Sequence, residues 1–149
     1  MPDRRRLHKC RRLLLVEDDP NDIFVFRAAA GGLPWVGEVV VAESAEDALD
    51  TLETLRRLPP PDRPGVIVLD INLPGTNGLE LLPQIRAIKE YRLTPIIMFS
   101  SSENESDIET ALTSGANAYV EKLFSYPVQM ELIQTMLTFW CRYAVHLPA

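Results

Sequence analysis

The chain has 149 residues, of which 46% are hydrophobic and 24% are charged, a balance typical of one globular domain. Its net charge of −6 at pH 7 argues against a generally basic surface that coats nucleic acid. No apolar run approaches the roughly 20 residues that cross a bilayer. We therefore expect one domain, without a separate output module, that binds neither nucleic acid nor a membrane.

Basic residues are concentrated at the start of the chain, where six of the first twelve positions are Lys or Arg. The apolar run that follows is much shorter than the roughly 7–15 residues of a secretory signal. We interpret residues 1–11 as a basic tail and residues 12–149 as a domain in the cytoplasm. Cys10 and Cys141 form no metal-binding spacing and no evident disulfide framework, which also favours a reducing compartment.

Five short apolar runs predict strands at residues 13–16, 36–42, 66–69, 95–99 and 118–120. The first, third and fourth are almost continuously apolar, as in parallel strands covered on both faces by helices. Amphipathic segments predict helices at 21–30, 44–58, 78–89, 102–113 and 125–144. Ser44 and Ser102 are the predicted N-caps of the second and fourth helices, and Glu105 would complete a capping box. The alternation predicts an α/β fold with a doubly wound, five-stranded parallel sheet.

Polar residues follow four of the predicted strands. In chain order they are Glu17 and Asp18 after the first strand, Asp70 after the third, Ser100 after the fourth and Lys122 after the fifth. Ligands of open parallel sheets bind outside the carboxyl ends of the strands. The sequence therefore predicts that these side chains converge on one site.

Asp70 is the candidate reactive group of this site. A single aspartate after a strand is most often a helix or turn cap. Glu17 and Asp18 change that interpretation, because crowded carboxylates repel one another unless a cation compensates. Mg²⁺ suits a site with few carboxylates and several water ligands, and such sites serve phosphoryl transfer. An aspartate can accept a phosphoryl group covalently, with Lys122 supplying a fixed cation and Ser100 a hydroxyl.

Three segments, 14–20, 66–78 and 119–122, resemble the receiver domains of two-component response regulators in sequence, order and spacing. The resemblance covers about residues 12–140 and implies the flavodoxin-like strand order 2-1-3-4-5. It implies that Asp70 accepts a phosphoryl group from a sensor histidine kinase, and that Asp18 and Asp70 bind Mg²⁺ or Mn²⁺ directly. Glu17 would bind the ion through water and Asn72 through its backbone carbonyl. Enzymatic activity would not exceed weak self-catalysed phosphorylation and dephosphorylation.

The resemblance also assigns switch residues. Ser100 would contact the phosphoryl group, Lys122 would pair with it, and Tyr119 would move between exposed and buried rotamers. Two positions depart from the family pattern, since Ser100 stands where Thr is commoner and Leu123, not proline, follows Lys122. A cis bond before a non-proline residue costs about 2.5–4 kcal/mol. We therefore predict a trans bond here and a rearranged loop before the last helix.

Within receivers, the sequence looks most like the stand-alone regulators that accompany bacterial phytochromes. The shared features are Glu-Asp-Asp-Pro-Asn-Asp at 17–22, the proline-rich connector at 59–64 and Phe139-Trp140 in the last helix. This resemblance implies a phytochrome-type kinase as phosphodonor. It also implies a homodimer formed through the last strand and helix.

The last predicted helix carries more apolar residues than one buried stripe requires. One stripe would pack on the sheet, and a second would form a dimer or partner surface. The alternative is a thick core contact with scattered exposed apolar residues. The predicted dimer or partner residues are Leu132, Met136, Phe139, Trp140 and Tyr143.

Other protein classes fit this sequence less well. A haloacid-dehalogenase-type phosphatase needs a second acid two positions after the first, where this chain has Asn72. A flavodoxin-like FMN protein needs an anion-binding first loop, whereas residues 17–19 are all acidic. The remaining alternative is a receiver-like protein-binding module that is not phosphorylated, or a phosphorelay intermediate.

Overall fold

The computed structural model describes residues 10–146, which form a five-stranded parallel sheet. The strand order is β2-β1-β3-β4-β5, and the predicted doubly wound fold is confirmed. Each predicted strand is present, with its ends shifted by at most two residues. The strands are β1 (Arg12–Val16), β2 (Glu38–Ala42), β3 (Val66–Leu69), β4 (Ile96–Ser100) and β5 (Ala118–Glu121).

α-Helices connect the strands and follow the last one. The second and third helices end at Leu55 and Arg86, each earlier than predicted, and short 3₁₀ turns follow at Pro60–Asp62 and Lys89–Tyr91. None of the helices within residues 10–146 has the length and apolar character that a bilayer span requires. The helices are α1 (Pro20–Gly31), α2 (Ala45–Leu55), α3 (Gly78–Arg86), α4 (Glu105–Thr113) and α5 (Tyr126–Thr138).

Side-chain caps fix the starts of four helices, α1 to α4. Ser44 caps α2 as predicted, because its hydroxyl accepts a hydrogen bond from a first-turn backbone N–H. The predicted cap at Ser102 is wrong, since Asn104 caps α4 by accepting the N–H of Ser106 at 2.9 Å. The Ser102 hydroxyl instead donates to Asp107 at 2.8 Å. This bond holds the loop that follows β4.

Apolar layers cover both faces of the sheet. Leu14 and Ile67 point to one face, where they pack with residues of α2 and α3. Leu13 and Val68 point to the other, where they pack with residues of α1 and α5. All four side chains are fully buried, each contributing about 1.5–3 kcal/mol by removal from water. Burial on both faces explains why these strands are continuously apolar.

The last helix differs from its prediction. It ends at Thr138, and one π-helical turn, Phe139–Tyr143, follows it. The Ala144 N–H donates to the Phe139 carbonyl at 2.7 Å. The prediction of one regular helix to residue 144 is therefore wrong.

The two predicted stripes are not separate faces of this helix. Met136, predicted on an exposed surface, is buried in the same core as Ile133 and Leu137, so that placement is corrected. Leu132 and Trp140 are half-buried against this core. The most exposed members of the predicted surface are Phe139 and Tyr143, which are 54% and 56% exposed.

A disulfide between Cys10 and Cys141 joins a residue two positions before β1 to the π-helical turn. Both cysteines are buried, and their Cα atoms lie 5.4 Å apart. The expectation of no disulfide was wrong, because a separation of 131 residues leaves no local spacing motif. The bond ties the last turn to the amino-terminal end of β1.

Reduction with dithiothreitol should lower the free energy of unfolding by up to about 5 kcal/mol, because opening a long loop frees the unfolded chain. The midpoint of urea unfolding should fall when the reductant is added. Cys141→Ala is the matched control, and its midpoint should not respond to reductant. If dithiothreitol does not change the midpoint of urea unfolding of the wild-type protein, that result would contradict the disulfide.

Candidate functional site

The sheet itself brings the predicted site residues together. β1 and β3 are neighbours in register, so Glu17 and Asp70 emerge side by side from the same edge. The Asp70 N–H donates to the Val16 carbonyl at 3.1 Å, and the Lys122 N–H donates to the Ser100 carbonyl at 2.9 Å. Ladder hydrogen bonding therefore continues past the strand ends. It fixes the backbone from which these side chains extend.

Lys122 is the centre of the site. Its ammonium group binds the carboxylates of Glu17, Asp22 at 2.9 Å and Asp70 at 3.0 Å. Only 10% of the lysine side chain is exposed. Burial lowers the pKa of Lys122, but the Asp70 and Glu17 carboxylates outweigh that effect and raise it above its usual range. Lys122 is therefore a permanent cation at this edge.

Glu17 has an unusual proton affinity. Burial, followed by the hydrogen bond and charge of Asp70, raises the pKa of Glu17 to about 8. Lys122 lowers this pKa but does not cancel the increase. The two carboxyl groups are thus close enough to repel each other when both are ionised. An additional cation would relieve this repulsion.

The loop after β3 shapes the surroundings of Asp70. The Asp70 side chain is buried and accepts the Asn72 N–H at 3.3 Å. A Cβ atom at Gly78 would collide with the Asp70 carbonyl, so only glycine lets α3 begin this close to the strand end. Asn72 thus lies directly beside the candidate acceptor.

The predicted metal ligands converge only in part. Glu17 and Asp70 adjoin each other at Lys122, whereas Asp18 is exposed and is not among the carboxylates that bind the lysine. Among residues 10–146, no group of three or more His, Cys, Asp or Glu side chains is arranged to hold a metal ion. The donor chemistry nevertheless fits a hard divalent cation, because the crowded Glu17 and Asp70 carboxylates supply the oxygens such an ion prefers.

Ser100 and Tyr119 lie beside this cluster. Ser100 is fully buried, and its hydroxyl oxygen accepts the Ser102 N–H at 3.5 Å. The Tyr119 hydroxyl donates to the Ser102 carbonyl at 2.8 Å, and its ring packs against the core. Burial raises the pKa of Tyr119, so its hydroxyl remains a donor. The Ser102 loop therefore links the two predicted switch residues.

Sequence reasoning missed two contributors to the site. Asp22, in the first turn of α1, is the third carboxylate on Lys122. Gln129 of α5 is buried, and its side-chain oxygen accepts the Leu123 N–H at 2.7 Å. The predicted trans bond after Lys122 is confirmed, since residues 10–146 contain no cis peptide. An acidic residue in a first helical turn usually signals a helix terminus, so Asp22 gave no signal of this role.

Residues 13–136 match the response regulator receiver domain family, and the chain belongs to that family. A chemotaxis protein CheY homolog of Campylobacter jejuni is 39% identical over 126 residues, covering 83% of this chain and 91% of the relative. Response regulator Rcp1 of Synechocystis is 26% identical, covering 92% of each protein.

Solved structures support the same assignment. The phosphorylated cyanobacterial phytochrome response regulator RcpA is similar, with a TM-score of 0.84, 26% identity and coverage of 92% of this chain and 98% of that one. The Mn²⁺-bound form of Rcp1 has a TM-score of 0.81 and 26% identity, covering 93% and 99% of the two chains. The resemblance to receivers related to phytochrome response regulators is thus confirmed.

Without metal, the free energy of unfolding should decrease as pH rises from about 4.5 to about 8, the interval between the ordinary and raised pKa of Glu17. In this interval the folded protein binds more protons at Glu17 than the unfolded chain does, so raising the pH favours unfolding. Glu17→Gln should flatten this slope in urea unfolding series with EDTA. The exposed Glu80→Gln is the control and should keep the wild-type slope, whereas equal slopes for all three proteins would contradict the assignment.

Proposed function

We propose that the protein is a signalling switch in which Asp70 accepts a phosphoryl group from a phosphohistidine of a sensor kinase. A carboxylate oxygen of Asp70 attacks phosphorus, an O–P bond forms, and the N–P bond breaks with its electron pair leaving on the imidazole. The supporting observation is the buried Asp70 carboxylate beside the fixed Lys122 cation at the carboxyl edge of the sheet. Apart from weak self-catalysed phosphorylation and dephosphorylation, the protein would not act as an enzyme.

The reaction would require Mg²⁺ or Mn²⁺. Glu17, Asp18, Asp70 and the Asn72 carbonyl would hold the cation, which supplies positive charge opposite the phosphoryl oxygens. Burial is the main cause of the raised pKa of Glu17, and the neighbouring Asp70 carboxyl group adds to it; this crowding of two carboxyl groups supports the proposal. Receiver domains bind divalent metals, and the Rcp1 structure that this chain resembles is Mn²⁺-bound.

Lys122 and Ser100 would sense the phosphoryl group. Lys122 would pair with its oxygens, and Ser100 would donate its hydroxyl. Movement of the loop containing Ser102 would then reach Tyr119, whose hydroxyl donates to the Ser102 carbonyl. The resulting change would alter the surface formed by β4, β5 and the last two helices.

A phytochrome-type histidine kinase is the proposed phosphodonor. The support is the similarity over nearly the whole chain to RcpA, a cyanobacterial phytochrome response regulator. We place the reaction in the cytoplasm, where such kinases present their phosphohistidine.

Asp70→Asn should reduce phosphoryl incorporation to background, because an amide cannot act as the attacking carboxylate. The measurement is Mg²⁺-dependent labelling by acetyl phosphate and by phosphorylated candidate kinases. Asp50→Asn, on the exposed face of α2, is the control and should label normally. EDTA should stop labelling and excess Mg²⁺ should restore it.

Unchanged labelling of Asp70→Asn would contradict the acceptor assignment. Labelling that persists in EDTA would contradict the metal requirement. A wild-type protein that takes no phosphoryl group from any donor, yet still binds a kinase, would favour the alternative of an unphosphorylated binding module.

We also propose a homodimer that uses the end of the last helix. Phe139 and Tyr143 are large and exposed, and Trp140 meets the Phe139 ring edge to face at 5.2 Å. Exposed aromatic residues on a packed base are typical anchors of protein interfaces. Leu132 would support this surface from its half-buried position, with Met136 beneath it in the core.

The double variant Phe139→Ala and Tyr143→Ala should raise the dimer dissociation constant about tenfold or more, because it removes both exposed anchors. Sedimentation velocity over a concentration series measures the change. Phe124→Ala is the control, since this side chain is 99% exposed outside the proposed surface. A double variant that sediments like the wild type would exclude this surface.

A further inference from the structure

The loop after β5 has an unusual attachment to the helix that follows it. Gln129 is only 3% exposed, and its side-chain oxygen accepts the Leu123 N–H at 2.7 Å. The Lys122 N–H, one residue earlier, donates to the Ser100 carbonyl at 2.9 Å. Two successive backbone N–H groups are thus bound to different elements, β4 and α5. The loop is fixed where the lysine side chain begins.

The Gln129 bond requires the residue that this chain has at position 123. A proline there would have no N–H to donate. A buried amide oxygen without a donor costs free energy, so Gln129 suits a loop in which residue 123 offers an N–H. Leu123 and Gln129 are therefore a matched pair. Their hydrogen bond supplies the constraint on the loop that a proline ring would otherwise impose on the backbone.

Asp22 restrains the other end of the lysine. Its carboxylate binds the Lys122 ammonium at 2.9 Å from the first turn of α1. Glu17 and Asp70, which also bind the ammonium, are proposed metal ligands and would turn toward a cation. Asp22 is outside that ligand set, so it can keep its contact with Lys122 when the other two change partners.

We propose that Gln129 and Asp22 are positioning residues that together hold Lys122 beside Asp70. Gln129 fixes the backbone at the base of the lysine, and Asp22 guides its ammonium. The proposal rests on the proposed function for its kinetic consequence. Its structural content, a Leu123 N–H held by Gln129, is independent of any phosphorylation.

The test compares Gln129→Met with Gln134→Met. Methionine keeps the length of the side chain and removes the oxygen that accepts the Leu123 N–H. Gln134 is on the same helix, but its amide donates to the Ala29 carbonyl and makes no contact with the loop. Gln129→Met should slow phosphorylation by acetyl phosphate about tenfold, the effect of one lost hydrogen bond, and leave Mg²⁺ affinity unchanged. Gln134→Met should change neither quantity.

Three outcomes overturn the proposal. The first is a Gln129→Met protein phosphorylated at the wild-type rate. The second is an equal loss of Mg²⁺ affinity and rate, which shows general damage to the site. The third is that Asp22→Ala and Asp22→Asn are both phosphorylated at the wild-type rate. We expect Asp22→Asn, which keeps an oxygen for the ammonium, to retain more activity than Asp22→Ala.

A double-mutant cycle covers the case in which one variant is unstable. Leu123→Pro removes the donor from the loop, as Gln129→Met removes the acceptor from the helix. After Leu123→Pro, Gln129→Met should have no further effect on the rate, whereas additive effects overturn the pairing. Amide hydrogen exchange at Leu123 tests the Leu123–Gln129 pairing separately from the proposed phosphorylation of Asp70. If the Leu123 amide loses its protection in Gln129→Met but keeps it in Gln134→Met, the pairing is supported even if Asp70 takes no phosphoryl group. An unprotected Leu123 amide in the wild-type protein overturns the pairing.

Discussion

A buried ammonium group holds the functional edge of this receiver domain together. Lys122 lies among the carboxylates of Glu17, Asp22 and Asp70, which come from three different parts of the chain. Removing charges from water is costly unless each has a partner of opposite sign. Without the lysine, Glu17 and Asp70 would oppose each other with like charges in a buried position. The acidic groups therefore require the lysine as much as the lysine requires them.

The parallel sheet explains why this cluster can be so local. Strands that are covered on both faces place their polar groups only at their ends, and register fixes which ends are neighbours. Glu17, Asp70 and Lys122 each follow a strand by one residue, so hydrogen bonds of the sheet define their backbone positions. The Cys10–Cys141 bond acts at the opposite end of β1, where it fastens the final turn of the chain. The candidate site and the disulfide are thus separated by the length of β1.

The sequence predicted the elements that depend on local patterns and missed those that depend on long-range geometry. Strand β3 has the predicted ends because an apolar run stops sharply at Asp70. Ser102 was mistaken for a helix cap because Ser and Asn cap equally well, and the choice of Asn104 depends on the path of the loop. Met136 was misplaced because the apolar residues of the last helix were divided between two stripes, although Ile133, Met136 and Leu137 have the i, i+3, i+4 spacing of one face of a regular helix. Asp22 could not be recognised, since only the folded sheet brings it near Lys122. Gln129 could not be recognised either, since its contact with Leu123 depends on the path of the loop between them.

Charge balance determines how this edge can carry a phosphoryl group. The carboxylates at Lys122 outnumber the ammonium, and burial together with the neighbouring Asp70 raises the pKa of Glu17, which favours a proton on that carboxyl group. A phosphoryl group on Asp70 brings roughly −1.5 to −2 charge, which the lysine alone cannot neutralise. A divalent cation at Glu17 and Asp70 would displace the Glu17 proton and supply the missing positive charge. In the proposed reaction, proton release, metal binding and phosphorylation would therefore be coupled through the same two carboxyl groups, and Lys122 would have to stay in place while they change partners.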